Sequence, residues 1–182
     1  KFRKIFEKNY PIEKTIFVWH VEEKEKGFRE LCKKYPYIAI SIPELRIVLK
    51  GRKTLKNAVK QLIKIANDIN PNIKIHLLGC TQQNLMEQKG YYSCDSTSWI
   101  SSGKYGNGYY WNMNILSQLR TNSLGWEKYA NEMKSQIWKY REKVNTTPYY
   151  LNNCLSAIAY SRLNEYINNK YYNYEPVKKM NK

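Results

Sequence analysis

The sequence lacks the features that would direct a protein into a membrane or out of the cell. No apolar run approaches the ~18 to 20 consecutive residues that a membrane-spanning helix needs. Residues 1–4 are mostly basic and no apolar stretch follows them, so no secretory signal is predicted. The four cysteines are scattered, with no Cys-x-x-Cys pair, which favours a reducing compartment. We therefore expect a cytoplasmic protein with no membrane partner.

Histidine and aspartate are also scarce in this chain. The histidines are His20 and His76, and the only aspartates among 15 acidic residues are Asp68 and Asp95. Because structural zinc sites need clustered ligands, we predict no metal site, and no motif implies a cofactor. The chain does not begin with Met, which indicates a processed protein or a fragment.

Positive charge is what the chain has in excess. Its 182 residues carry 31 Lys and Arg against 15 Asp and Glu, a net charge of +16. A surplus of this size favours a polyanionic partner, most simply nucleic acid. Biased base composition in a genome could also enrich lysine. Seventeen Tyr and five Trp add surfaces on which bases could stack, although most aromatic residues serve a core.

Short apolar runs alternate with helical stretches through the first half of the chain. This alternation predicts an α/β protein with right-handed βαβ units and a parallel sheet. A polar, glycine-rich loop is predicted at 101–108, and two long helices follow. The predicted strands are 15–21, 37–42, 73–79 and 91–96, and the predicted helices are 27–34, 54–69, 81–89, 126–144 and 149–171.

No linker divides the chain, so we predict one domain over 1–182. It would consist of βα units at 15–99 and C-terminal helices at 109–173. Four such units leave a sheet with two unpaired edges. An eight-stranded barrel would need four more strands, which this chain does not supply. The chain is therefore expected to be a half-barrel, completed by another segment or chain, or a small open sheet.

Asp95 is the strongest candidate for chemistry. It ends an apolar strand, and the C-terminal ends of parallel strands line the active site in α/β folds. A carboxylate there could act as a base, a metal ligand or a covalent nucleophile. The alternative is a cap on the amides of Thr97 or Ser98. Asp68 lies at a helix end, where a solvated or capping role is expected.

The other candidates at strand ends have structural alternatives. His20 could contact a bound base or shuttle a proton, or it could be a buried histidine with its hydrogen bonds satisfied. His76 lies within a strand and is interpreted as structural. Gly79 would let a ligand approach closely, and turn formation explains it equally well. Cys80 has no evident activating partner, so no thiol nucleophile is proposed.

Basic residues provide candidate phosphate contacts. Lys104 lies in the glycine-rich loop, whose amides and hydroxyls suit phosphate, although a solvated loop is an equal alternative. A run after the second strand, Arg46, Lys50, Arg52, Lys53 and Lys56, could follow a nucleic-acid backbone, although a solvated face is the commoner case.

Two segments resemble a known family. Ile-His-Leu-Leu-Gly at 75–79, followed by Tyr-Ser-Cys-Asp-Ser-Thr-Ser-Trp at 92–99, resembles the last two barrel strands of tRNA-guanine transglycosylases. The similarity is closest to the branch, often phage-associated, that places 7-deazaguanines in DNA. Phe-Val-Trp-His at 17–20 and Tyr-Ile-Ala-Ile at 37–40 fall where strands five and six would be. The resemblance covers 15–99, and more loosely the C-terminal helices.

The resemblance implies a (β/α)8 TIM-barrel fold, of which this chain supplies about four units, and glycosyltransferase chemistry in the complete barrel. Asp95 would attack the ribose carbon, release guanine and hold a covalent intermediate until a 7-deazaguanine replaces it. The base pocket would be lined by His20, Ser41, Leu78 and Gly79. Phosphates would be held by Lys104, Arg46, Arg52 and Lys53.

This chain departs from the family pattern in several places. Ser-Ile-Pro at 41–43 replaces a Gly-Gly pair that recognises the base, and the Pro-Thr-Arg stretch and the cysteine-rich zinc site are absent. The general acid/base aspartate would belong to strands one to four, so this chain alone is not expected to be a complete catalyst. DNA is favoured over tRNA as the substrate. The alternatives are a non-catalytic nucleic-acid-binding module and an accessory subunit that completes a partner's barrel.

Overall fold

The computed structural model describes residues 2–49, 51–80, 82–112, 114–141 and 148–172 and confirms an α/β protein. The chain forms two compact units, Lys1–Ser96 and Thr97–Lys182. No residue separates them, and the expectation that the chain behaves as one domain stays a prediction.

The first unit contains a four-stranded parallel sheet in the order β1-β2-β3-β4. Every strand pairs with its neighbours in the chain, as successive βα units predict. The strands are β1 (Phe17–Trp19), β2 (Tyr37–Ser41), β3 (Lys74–Leu78) and β4 (Ser93–Cys94). The α-helices are α1 (Phe2–Asn9), α2 (Lys24–Lys34), α3 (Ile42–Val48), α4 (Arg52–Ile69) and α5 (Gln83–Met86), with 3-10 turns at Ile12–Lys14 and Val21–Glu23.

Alternation along the strands gives this sheet one apolar face and one polar face. The apolar face is almost fully buried, and its members are Phe17, Trp19, Ile38, Ile40, Ile75 and Leu77. Helix α4 buries Leu55, Val59, Leu62 and Ala66 at helical spacing, and α2 and α4 pack together. The opposite face carries the polar residues of β2, β3 and β4.

The predicted strands of this unit are all present, but two connections differ from the prediction. No helix was predicted directly after β2, but α3 begins there, and Pro43 lies near its start. It occupies the first turn of α3, where a missing N–H costs nothing. The predicted helix at 81–89 is only α5, and Thr81, its expected cap, lies outside the described residues. A sheet of four parallel strands is compatible with part of an α/β barrel, and the barrel itself stays a prediction.

The second unit differs more from the prediction, because it contains an antiparallel hairpin. Its elements are α6 (Ser98–Lys104), β5 (Asn107–Asn112), β6 (Ile115–Arg120), α7 (Leu124–Arg141), α8 (Pro148–Ile167) and a π-helical turn (Asn168–Tyr172). The predicted glycine-rich loop at 101–108 is wrong, since 101–104 belong to α6. Packing of α6 against α8 and β5 outweighs the poor helix propensity of its serines and Gly103.

The sequence does contain evidence for the hairpin, although this region was interpreted as a loop followed by helices. Tyr109, Tyr110 and Trp111 are good strand formers, and Asn114 has a positive φ of 72° at the turn. The two predicted long helices are present as α7 and α8. No helix in the described ranges is both long and apolar enough to span a bilayer.

Gly108 provides a test of the second unit. A Cβ at this position would lie 2.1 Å from the Trp126 ring, which is buried in a core with Tyr129, Met133 and Leu155. We expect Gly108→Ala to destabilise the unit by about 1–3 kcal/mol, the usual cost of overpacking. Urea denaturation measures the change. Gly125→Ala is the control, because its Cβ would meet only the flexible Leu119 side chain at 3.3 Å. Equal stability of the two variants would contradict the hairpin packing.

Candidate active site

The C-terminal ends of β2, β3 and β4 bring three predicted site residues into one row. Ser41 and Leu78 are register partners, and the β3–β4 register places Asp95 beside Leu78. All three belong to the polar face of the sheet. Ser41 is buried and Leu78 is half-buried, whereas the Asp95 side chain is 58% exposed. The row therefore offers an accessible carboxylate beside an apolar surface.

One oxygen of the Asp95 carboxylate is held and the other is free. Oδ1 accepts a hydrogen bond from the Gly79 amide at 2.9 Å and lies 3.3 Å from Nε2 of His76. Oδ2 accepts no hydrogen bond from the residues that the structure describes. These contacts belong to β3 and the turn after it, and they replace the expected alternative of a cap at Thr97 or Ser98. A carboxylate fixed through one oxygen can present the other to a substrate.

Gly79 contributes through its backbone. Its φ of +67° is in the left-handed region, and a Cβ would lie 2.8 Å from Cγ of Pro43 at the start of α3. Both constraints select glycine. Pro43 occupies the space that a ligand would need above Gly79, so the close-approach interpretation gives way to a tight turn that aims an amide at Asp95.

His76, interpreted from the sequence as structural, lies beside Asp95 on the polar face of the sheet. It is the register partner of Ser93, and its Nδ1 lies 2.8 Å from Ser93 Oγ. The Tyr37 hydroxyl lies 2.7 Å from the same Oγ. The signal was in the sequence, because Ser93 and Asp95 are two residues apart in the predicted strand at 91–96 and should share a face. What the sequence did not give was the register that sets His76 beside them.

His20 lies at the end of β1, and its side chain is exposed. The expected buried alternative is wrong: the side chain is 55% exposed, and Nδ1 lies 2.9 Å from Oε1 of Glu44. Glu44, in the first turn of α3, was not singled out from the sequence. Three strand spacings of about 4.8 Å separate β1 from β4, or about 14 Å in all. His20 and Asp95 therefore mark opposite ends of the strand edge.

The predicted phosphate contacts are dispersed. Arg46 is exposed on α3, and Lys56 is exposed on α4. Arg52 and Lys53 begin α4, but their side chains lie outside the described part of the structure, as does Lys50 entirely. Lys104 is exposed at the end of α6 in the second unit, and it is helical, not part of a loop.

A cavity of about 430 Å³ lies beside the outer edge of β1, away from Asp95. Arg3 crosses it and donates to the Val18 carbonyl at 3.0 Å and to the Glu23 carboxylate at 2.6 Å. These bonds satisfy a backbone group at the sheet edge, which is a common protection of edge strands. Within the described ranges, no group of three or more potential ligands is arranged to hold a metal ion.

Cys80 lies just after Gly79 and tests how closed the turn is. Burial raises the pKa of its thiol to about 12, with a smaller contribution from Cys94. Roughly one thiol in ten thousand is then ionised at pH 8, and only the thiolate reacts quickly. We expect iodoacetamide to alkylate Cys80 at least ~100-fold more slowly than the exposed Cys154, as followed by peptide mass spectrometry. The rates should converge in guanidinium chloride. Equal rates in the folded protein would mean that the turn is open.

Comparison with known proteins assigns no family. No protein-family model, curated protein or solved structure matches this chain. The case for a function therefore depends on the geometry of Asp95 and its neighbours, together with the resemblance of the two segments at 75–79 and 92–99.

Proposed function

We propose that this chain contributes the nucleophile to a base exchange in nucleic acid, in which guanine is replaced by a 7-deazaguanine. The observation that carries the proposal is the Asp95 carboxylate: it is exposed at the C-terminal end of a parallel strand and anchored through Oδ1, and no donor in the described part of the chain reaches Oδ2. Nucleophiles of retaining glycosyl transfer are carboxylates presented in this way. DNA is favoured over tRNA by the Asp-Ser-Thr-Ser-Trp form of the segment at 95–99.

The reaction balances with Asp95 as a covalent catalyst. Oδ2 forms a bond to the anomeric carbon while the bond from that carbon to N9 of guanine breaks. The electron pair stays on guanine, which takes a proton from water. A 7-deazaguanine then attacks the same carbon through N9 and loses the N9 proton to water, and Asp95 leaves as a carboxylate. A general acid/base residue contributed by another segment or by a partner chain would assist both proton transfers.

The surroundings of Asp95 suit a base lifted out of a nucleic-acid strand. Bases must leave the stack before an enzyme can act on the glycosidic bond. Leu78 offers an apolar contact beside the carboxylate, and His20, paired with Glu44, offers polar atoms across a gap of about 14 Å. Arg46 and Lys56 add exposed positive charge on the helices that follow β2.

Covalent trapping tests the nucleophile directly. DNA that contains 7-methylguanine is the best probe, because this cationic base leaves as a neutral molecule and needs no general acid. We expect the wild-type chain to form a denaturant-resistant complex with the abasic sugar, visible by gel electrophoresis and intact mass. Asp95→Asn should lower the yield more than about 10³-fold, as loss of a nucleophile does elsewhere.

Asp68→Asn is the matched control, since it makes the same chemical change at the other aspartate. Asp68 is exposed on α4 and pairs with Lys64, so its variant should react like the wild type. Equal adduct yields from Asp95→Asn and wild type, or no adduct from either, would reject Asp95 as nucleophile.

A non-catalytic nucleic-acid-binding module is the second candidate, and the net charge of +16 favours it. Binding carried by phosphate contacts weakens with salt by about 0.9 in log K per log salt for each contact on duplex DNA. We expect Arg46→Gln with Lys56→Gln to make the slope about 2 less negative, as measured by fluorescence anisotropy over a salt series.

Lys33→Gln with Lys89→Gln is the control for that measurement. Both lysines are exposed and precede strands, so they lie at the opposite end of the sheet from Asp95. A slope that changes equally in the two double variants would show that charge, and not this edge of the sheet, determines binding. Wild-type affinity without any adduct would favour the binding module, or an accessory subunit that completes a partner's barrel, over the enzyme.

A further inference from the structure

Four side chains form one connected chain across the polar face of the sheet. Tyr37 on β2 contacts Ser93 on β4, with 2.7 Å between the two oxygens. Ser93 contacts Nδ1 of His76 on β3 at 2.8 Å, and Nε2 of His76 lies 3.3 Å from Oδ1 of Asp95. We call Tyr37, Ser93 and His76 the relay. It spans three strands and ends on the carboxylate that the proposed function uses.

The chemistry of the atoms gives the relay a single direction for a neutral imidazole. A carboxylate has no hydrogen to donate, so a neutral His76 is more stable when Nε2, 3.3 Å from Oδ1 of Asp95, carries the ring hydrogen. Nδ1 is then an acceptor, and the Ser93 hydroxyl must donate to it. The remaining lone pairs of Ser93 Oγ accept from the Tyr37 hydroxyl. Each group therefore has a partner of the correct kind: Asp95 favours the Nε2–H tautomer of His76, and the Ser93 hydroxyl supports it by donating to Nδ1.

The relay makes the two oxygens of Asp95 unequal. Oδ1 accepts from the Gly79 amide and lies 3.3 Å from Nε2 of His76, whereas Oδ2 has no donor among the described residues. Because a donor stabilises the negative charge on Oδ1, Oδ2 is the more nucleophilic oxygen and the one that can attack. Once Oδ2 is bonded to the sugar, Oδ1 becomes the ester carbonyl, and negative charge returns to it as the sugar leaves. Donors aimed at an oxygen where charge develops accelerate such a step.

We propose that the relay is a positioning device that selects Oδ2 as the nucleophile and accelerates the departure of Asp95 from the sugar. This inference rests on the proposed function. His76, Ser93 and Tyr37 act through Asp95 and touch no reacting atom, so they are positioning residues. Their loss should slow the breakdown of the covalent adduct more than its formation, because the developing charge on Oδ1 belongs to the breakdown step.

Adduct breakdown is the measurement that isolates this role. The adduct is formed on 7-methylguanine DNA, 7-deazaguanine is added, and the loss of the adduct is followed by quenched gels. We expect His76→Leu to slow breakdown about tenfold to a hundredfold, the range for loss of a hydrogen bond to a charged group. His76→Gln should recover part of the rate, since its amide N–H can still donate to Oδ1.

The remaining relay members predict a graded series. Ser93→Ala removes the hydroxyl that donates to Nδ1 and should slow breakdown severalfold, and Tyr37→Phe should have a smaller effect. Tyr92→Phe is the matched control: its ring packs edge-on against Tyr37, but its hydroxyl has no role in the relay. It should leave the rate of breakdown unchanged. Circular dichroism of every variant confirms that the sheet is folded.

Nitrogen NMR of the imidazole provides a readout that does not depend on activity. At pH 8 the wild-type His76 signal should be that of the Nε2–H tautomer, and Ser93→Ala should shift it toward a mixture. A wild-type ring protonated on Nδ1 would overturn the proposal. So would an adduct that breaks down equally fast in wild type, His76→Leu and Tyr37→Phe, and that result would leave the proposed function standing. Absence of any wild-type adduct would reject the proposed function, and the relay's catalytic role with it.

Discussion

The hydrogen bond from the Gly79 amide to Asp95 is the contact on which the candidate site depends. It joins the turn after β3 to the end of β4 over 2.9 Å and so fixes the carboxylate relative to two strands. The turn that aims this amide needs a positive φ and leaves no room for a Cβ beside Pro43. Gly79, Pro43 and Asp95, which are distant in sequence, thus determine one another's positions. The Gly79 amide therefore fixes the position of the Asp95 carboxylate, through Oδ1, before any ligand binds.

The same strands explain why polar chemistry could accumulate on one side of the sheet. The face that contains Ile38, Ile75 and Leu77 is fully buried, and α2, which packs on β1 and α4, belongs to the same apolar core, so stability comes from that side. The other face need not supply apolar burial. His76, Ser93 and Tyr37 can therefore occupy it and form hydrogen bonds with one another. Buried or half-buried polar groups are tolerated when each has a partner, and the relay meets this condition.

The sequence predicted the four strands of the first unit and helices α2, α4 and α5, but not α1 or α3, because alternation and turn chemistry act over short distances. It identified Asp95 for the same reason, since a polar residue that ends an apolar strand is a local pattern. It did not identify His76, because the role of that residue depends on which residue of β4 faces it. It misjudged 101–108 because Gly103 and Gly106 suggest a loop, whereas packing of α6 on α8 decides the structure. Long-range register and packing, not propensity, account for these differences.

Because β4 is short, the relay also has a structural role, which is to fix the register of this strand. With only Ser93 and Cys94 in the strand, few backbone hydrogen bonds specify its register. A slip of one residue would turn Asp95 toward the helices and bring Cys94 to the polar face. Two sets of hydrogen bonds, one on each side of Cys94, oppose that slip. Ser93 bonds to Tyr37 and His76, and Asp95 bonds to the Gly79 amide. The side chains that orient the Asp95 carboxylate therefore also fix the register of β4. Loss of the correct β4 pairing would disrupt the site, and loss of the site's hydrogen bonds would weaken that pairing.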